Sequence, residues 1–210
     1  HKLITLILLM AVSCQATASG TDERLRLRLE SWLSGHHDGL QIVNAEQVVT
    51  LYAQQDYQHF WTNLDGSLNQ QGQTALDQIK NARYMGLNPA DYHSHMIEAL
   101  LSDSQISDRR GKSIDLELLI SDGLLLYISH LANGKVDPKS VHPEWHLQKQ
   151  TGDPVELLID AYDSDSLVVK LAGLEPTHPQ YVALKKHYRK LLDSPAVKRI
   201  VLSNTLKPGM

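Results

Sequence analysis

The stretch IDLELLISDGLLLYISHLANG, Ile114 to Gly134, decides the fold class. Leu116, Leu118, Leu119, Ile120, Leu124, Leu125, Leu126, Ile128 and Leu131 point in almost every direction around a helix, and a helix that is apolar all round is a buried one. Each leucine withdrawn fully from water contributes about 1.5–3 kcal/mol gross. This segment is therefore expected at the centre of the core, with Gly134 closing it. Asp122 stands among the leucines, and a buried carboxylate is costly unless partnered. It reads either as a general acid or base, or as a structural carboxylate bonded to a tyrosine, an arginine or backbone N–H groups of a neighbouring element. The structural reading is favoured, because no nucleophile or second carboxylate is identifiable near it in sequence.

Helical grammar continues outward from that centre. RLRLRLESWL (Arg24 to Leu33) would suit a strand over its first half, but Leu25, Leu29, Trp32 and Leu33 carry a helical period that Gly35 stops. NAEQVVTLYAQQ (Asn44 to Gln55) opens with Asn44 in a capping position and Gln47 three residues on, then places Val48, Leu51 and Tyr52 on one face. NQQGQTALDQIKNARYMG (Asn69 to Gly86) puts Leu76, Ile79 and Arg83 on a stripe. Gly86 is expected to end it in the left-handed conformation, with Leu87 folding back as apolar partner. Asn88-Pro89 then restarts the chain as cap and first helical residue. The same stop-and-restart recurs at Gly134 to Pro138 and Gly173 to Pro176, and capping boxes are expected at Asp153 to Glu156 and Thr177 to Gln180. Strand signals are sparse: GLQIV (Gly39 to Val43) and FWTN (Phe60 to Asn63). The expected class is mainly α, an irregular bundle around a buried central helix with at most short strands.

At 210 residues the chain suits one sizeable domain, and its net charge of -4 argues against nucleic acid as a partner. Residues 1–18 read as a signal peptide: Lys2, the apolar run Leu3 to Val12, and cleavage after Ala18 in ATA. The run is about half of the ~20 residues that span a bilayer. Export to the periplasm is expected, with lipid anchoring through Cys14 the lesser alternative because Ala11 stands where a leucine is usual. Cys14 is the only cysteine. Cleavage would leave a chain with no thiol nucleophile, disulfide or thiolate ligand.

HPEWH (His142 to His146) has two histidines four apart, as in a zinc protease helix, but Pro143 pushes His142 out of helical geometry and the glutamate is misplaced. The structural reading prevails, with Trp145 filling a gap between helices. His93 to His95 and His36 to Asp38 read as solvated or capping histidines. Lys185, Lys186, Arg189 and Lys190 form a basic cluster opposite Tyr181, Leu184, Tyr188 and Leu191, ordinarily a solvated face, with an anionic wall glycan as the sharper reading. No G-x-S-x-G, phosphate loop or calcium loop is present, so no catalytic, cofactor-binding or metal residue is assigned and no cofactor is expected.

Three segments in order, LYAQQDYQHFWTN…GLNPADYH (Leu51 to His93), LLISDGLLLYISHLANGKVDPKSVHPEWH (Leu118 to His146) and LAGLEPTHPQYVALKKHYRKL (Leu171 to Leu191), resemble the N-terminal scaffold domain of the large periplasmic L,D-transpeptidases. That resemblance covers most of residues 22 to 193. It implies an exported murein enzyme that joins stem peptides through 3→3 cross-links, using a cysteine in a C-terminal S-H-G-C motif. Residues 1–210 contain no such motif, so this chain by itself is expected to be non-catalytic. The implied organisation is a helical scaffold over 19–203, with 204–210 starting the link to a peptidoglycan-binding domain. The implied partners are that domain, the catalytic domain and peptidoglycan itself. Tyr57, Phe60 and Trp61, with Trp145, are candidates for the face toward those domains, unless they are internal core. The alternative is a free-standing periplasmic adaptor that recruits murein or a murein enzyme.

Overall fold

A computed structural model describes residues 22–34, 40–136 and 152–194. Eight α-helices lie among them: α1 (Glu23–Leu33), α2 (Ala45–Gln54), α3 (Gln70–Asn81), α4 (Ser94–Ser102), α5 (Arg109–Asn133), α6 (Pro154–Asp163), α7 (Leu167–Gly173) and α8 (Pro179–Leu192). Two 3-10 turns, Ala82–Met85 and Pro89–Tyr92, join α3 to α4. The fold is the mainly α bundle read from the sequence. The extended pieces reduce to one isolated antiparallel bridge, Thr62 with Leu68, among the described residues.

The central helix is α5, which starts five residues earlier than its apolar run because Asp108 caps it by accepting from the Gly111 N–H at 2.9 Å. At 25 residues it runs about 38 Å. Helices α2, α3, α4 and α6 and the Pro89–Tyr92 turn pack around it, while α1 lies on α2, and α7 on α3 and α6. Gly123 lets the Tyr92 backbone approach: a Cβ there would stand 2.7 Å from the Tyr92 carbonyl oxygen. At the far end Gly134, φ +78°, terminates α5.

Punctuation explains the rest. Gly86 takes φ +75°, its N–H bonds to the Arg83 carbonyl, and Leu87 N–H reaches back to Ala82 O at 3.1 Å, so the pair of bonds expected after a left-handed glycine is complete. Asn88 caps the next turn through the Ala90 N–H. Asp153 caps α6 through the Val155 N–H. Two caps differ from expectation. Asn44 makes no side-chain cap bond, because the backbone at 43–44 is pulled onto Asp122 instead. The cap of α8 is His178, not Thr177: Pro179 holds its predecessor extended, and that extended residue is the cap. Leu33 is exposed, leaving Leu25, Leu29 and Trp32 as the buried stripe of α1. Gly35 and His36 to Asp38 lie outside the described residues, as do Cys14, Ala18, HPEWH with Trp145, and 204–210.

Candidate functional site

Every fourth residue along the first half of α5 is polar: Ser113, Glu117, Ser121. That spacing makes one stripe on one helix face, and all three side chains are buried, with Glu117 0% exposed. The stripe faces the segment 56–62, which crosses α5 between α2 and α3. Asp56 and Tyr57 both take positive φ, +50° and +55°, a conformation that costs a non-glycine residue and persists only when its surroundings enforce it.

Backbone bonds from the Tyr57 N–H to Tyr52 O (2.9 Å) and from the Asp22 N–H to Tyr57 O (3.2 Å) hold that bend, and Glu117 pins the stretch that follows it. Its Oε1 accepts from the backbone N–H groups of Trp61 (2.8 Å) and Thr62 (2.6 Å) and from the Thr62 hydroxyl (2.8 Å). Its Oε2 accepts from the Phe60 N–H (2.9 Å) and the Tyr52 hydroxyl (2.7 Å). Burial, and then the carboxylate beside it, push the Tyr52 phenol well above its ordinary pKa, so it stays a donor. Ser121 Oγ accepts from the Trp61 indole N–H at 2.8 Å. Tyr162 of α6 closes the cluster, edge-on to both Phe60 and Trp61.

Next to this clamp sits a constellation with the ingredients of a hydrolytic triad. His59 Nε2 lies 2.9 Å from Asp22 Oδ2, and Nδ1 lies 2.9 Å from Thr62 Oγ1 and 3.2 Å from Ser113 Oγ. Acid, imidazole and hydroxyl are in line, but the chemistry is blocked three times over. Ser113 is 0% exposed, so no substrate reaches it. Its hydroxyl already donates to the Asn63 carbonyl at 3.0 Å, and Thr62 donates to Glu117. Finally, burial opposes charge on His59, yet Glu117 (3.5 Å from Nδ1) and Asp22 outweigh it and raise the imidazole pKa. A ring held toward its protonated form is a poor general base. Burial also opposes charge on Asp22, but bonds from His59, Arg110 and the Leu25 N–H hold its carboxyl below the usual range. The arrangement ties α1, the 56–62 segment and α5 together.

This geometry predicts a pH dependence. A raised folded pKa makes the His59 contribution fully present below the unfolded imidazole value, about 6.5, and lost as pH rises through the folded value. His130, lowered by burial and then Lys135, pulls the opposite way. The diagnostic is therefore the stability difference between wild type and His59→Gln, measured by urea melts. It should shrink from mildly acidic to mildly alkaline pH, and a constant difference would contradict the charged-ring assignment.

Asp122, one step around α5, accepts from the N–H groups of Val43 (2.9 Å) and Asn44 (2.7 Å), and its Oδ2 lies 2.6 Å from His93 Nε2. His93 takes φ +62° at the junction between the Pro89–Tyr92 turn and α4. Asp122, its side chain 0% exposed, thus fixes the start of α2 and the start of α4 onto the central helix.

Of the residues that suited either an interdomain face or the core, Phe60 and Trp61 are core. Phe60 and Trp61 are buried because Glu117 captures their N–H groups and draws them under Tyr162; only Tyr57 keeps partial exposure. The clamp residues Glu117, Ser113, Ser121, His59 and Asp22 were missed by sequence reasoning. The four-residue polar spacing inside a leucine helix was the signal that could have found Ser113, Glu117 and Ser121, whereas His59 and Asp22 carry none. Among the described residues no group of three or more His, Cys, Asp or Glu could hold a metal, and no helix is long and apolar enough to cross a membrane.

The open chemistry is at the other end. Helix α8 has no buried residue, and its apolar side chains Leu184 and Leu191 are 69% and 72% exposed. Its chief contact is the Ala82–Met85 turn, and between them lies a cleft of about 240 Å³ lined by Tyr84, Met85, Gly86, Tyr181, Leu184, Lys185 and Tyr188. Residues 46–187 match the family described as Scaffold domain. No curated protein and no solved structure matches the chain.

Proposed function

As the chain belongs to the Scaffold domain family, we propose that it is the non-catalytic scaffold portion of an exported peptidoglycan L,D-transpeptidase, serving cell wall biogenesis in the periplasm. In that role the helical body positions a separate catalytic domain, which performs acyl transfer through its own cysteine, and a peptidoglycan-binding domain. The observation that carries the non-catalytic part is the sealed constellation at His59: the acid, imidazole and hydroxyl groups are all committed to holding segment 56–62. The ordered resemblance of Leu51–His93, Leu118–His146 and Leu171–Leu191 to that enzyme class supports the finer identity, since the first two segments fall inside the matched range 46–187. The sole cysteine, Cys14, lies in the segment read as a signal peptide and removed by cleavage after Ala18.

Incubation of the protein with tetrapeptide muropeptides, followed by mass spectrometry, is expected to yield neither a 3→3 dimer nor an acyl adduct. An adduct on the chain lacking residues 1–18 would overturn the non-catalytic reading. Sequencing the gene past the codon for Met210 tests the rest. A frame running into a wall-binding repeat and an S-H-G-C motif is expected, whereas an immediate stop codon would replace the transpeptidase reading with that of a free-standing adaptor.

A further inference from the structure

Helix α8 is amphipathic and has no full partner among the described residues. At 100° per residue Tyr181, Leu184, Tyr188 and Leu191 share one side. Helices draw most of their stability from packing such a side against something, yet among the described residues its main contact is the Ala82–Met85 turn, and Leu184 and Leu191 are 69% and 72% exposed. Contiguous apolar surface of this kind marks an interaction site.

The charge around the cleft says what kind. Helix α8 carries Lys185, Lys186, Arg189 and Lys190 and no carboxylate. Arg83 and Arg189 both stack on the Tyr84 ring, 4.6 and 5.2 Å from its centroid, and Arg83 donates to the Tyr84 hydroxyl at 2.6 Å. Lys185 is answered by Glu175, whereas neither guanidinium has a carboxylate partner among the described residues. Two guanidiniums held against one tyrosine at the edge of an apolar cleft are preorganised donors awaiting an acceptor.

We propose that the cleft between α8 and the Ala82–Met85 turn docks a polypeptide segment that offers a large apolar side chain flanked by carboxylates. The apolar group enters between Met85, Leu184 and Tyr188, and the carboxylates meet Arg83 and Arg189. A second copy of this chain is a poor occupant, since it would bring an equally basic helix to the same place. A lipid surface is also disfavoured. The cleft is concave, and Lys186 and Lys190 lie on the opposite side of α8 from Tyr188, out of reach of head groups when the apolar side is down. The inference extends the scaffold reading by giving its contact surface, and it holds equally for an adaptor, so its failure leaves the acyl-adduct result untouched.

The test is an NMR titration of the nitrogen-labelled protein with a synthetic amphipathic helix of leucines flanked by glutamates. Parallel titrations use the same peptide with lysine in place of glutamate, and vesicles of phosphatidylglycerol. The acidic peptide is expected to give saturable shifts centred on Tyr84, Gly86, Leu184 and Tyr188. Because the variant turns both attractive charge pairs into like-charge contacts, and measured couplings of close interfacial pairs start at about tenfold in affinity, the exposed double variant Arg83→Glu/Arg189→Glu should weaken binding by about tenfold or more with its circular dichroism unchanged. Added salt should weaken the wild type likewise. The proposal is overturned if the acidic peptide gives no saturable shifts, if the lysine peptide binds equally, if the double variant binds as wild type does, or if vesicles perturb these amides while the acidic peptide does not.

Discussion

Glu117→Ala is expected to remove about 4 kcal/mol or more of stability, which against a usual total of about 5–15 kcal/mol leaves the fold marginal or lost. The substitution deletes the acceptor of three backbone N–H groups, those of Phe60, Trp61 and Thr62. Each buried donor left without a partner costs about 1–3 kcal/mol. The hydroxyls fare better: Tyr52 can turn to the Glu117 carbonyl oxygen, 3.1 Å away. The Trp61 and Thr62 N–H groups cannot turn, because the peptide planes that carry them are fixed by Asn69, whose Nδ2–H₂ and N–H bond to the carbonyls of Phe60 and Trp61. Glu117→Gln keeps the shape and one oxygen but points an NH₂ at donors, so a smaller loss of about 2 kcal/mol is expected. Urea denaturation measures both. An alanine variant within 1 kcal/mol of wild type would show that water replaces the carboxylate and that the clamp is dispensable.

Gly72→Ala should be nearly as damaging, for a different reason. In an open helix this exchange gains about 1 kcal/mol, since alanine is the better helix former. Here a Cβ would stand 2.0 Å from the Trp61 carbonyl oxygen and 2.8 Å from its carbonyl carbon. Both are backbone atoms of the segment that Glu117 pins, so neither can move aside cheaply. Overpacking of this kind costs about 3 kcal/mol, at the upper end of the usual range, or roughly 6–12 °C of melting temperature in a domain of this size. Gly173→Ala at the end of α7, where a Cβ meets nothing within 4 Å, is the matched control and should be neutral or slightly stabilising. A Gly72→Ala protein as stable as that control would mean that 60–62 is not held against α3 in solution.

Both effects converge on one segment, and that segment marks where sequence reading ran out. Leu25, Leu29 and Trp32, the Gly86 turn and the Asp153 cap were all legible, because each is a relation between residues a few positions apart. Glu117 was not, because its partners lie 55 to 65 residues away. Asp122 could be singled out as a carboxylate in need of partners, but which ones it has depends on where the chain at 43–44 and 93 returns. Phe60 and Trp61 looked equally suited to a core or to an interface. Their burial follows from hydrogen bonds to a distant helix, which no periodicity in FWTN encodes.

Periodicity, capping residues and glycine placement were enough to specify a helical body wound about Ile114–Gly134, since a helix apolar on every side has no stable place except inside other helices. Long-range packing assigned the polar residues their work: it sealed His59, Ser113 and Asp22 into a brace, and it left α8 with a basic, apolar face to the outside. Local preferences act through neighbours in the chain, whereas the fate of a buried charge or an open face depends on which remote groups the fold brings to it.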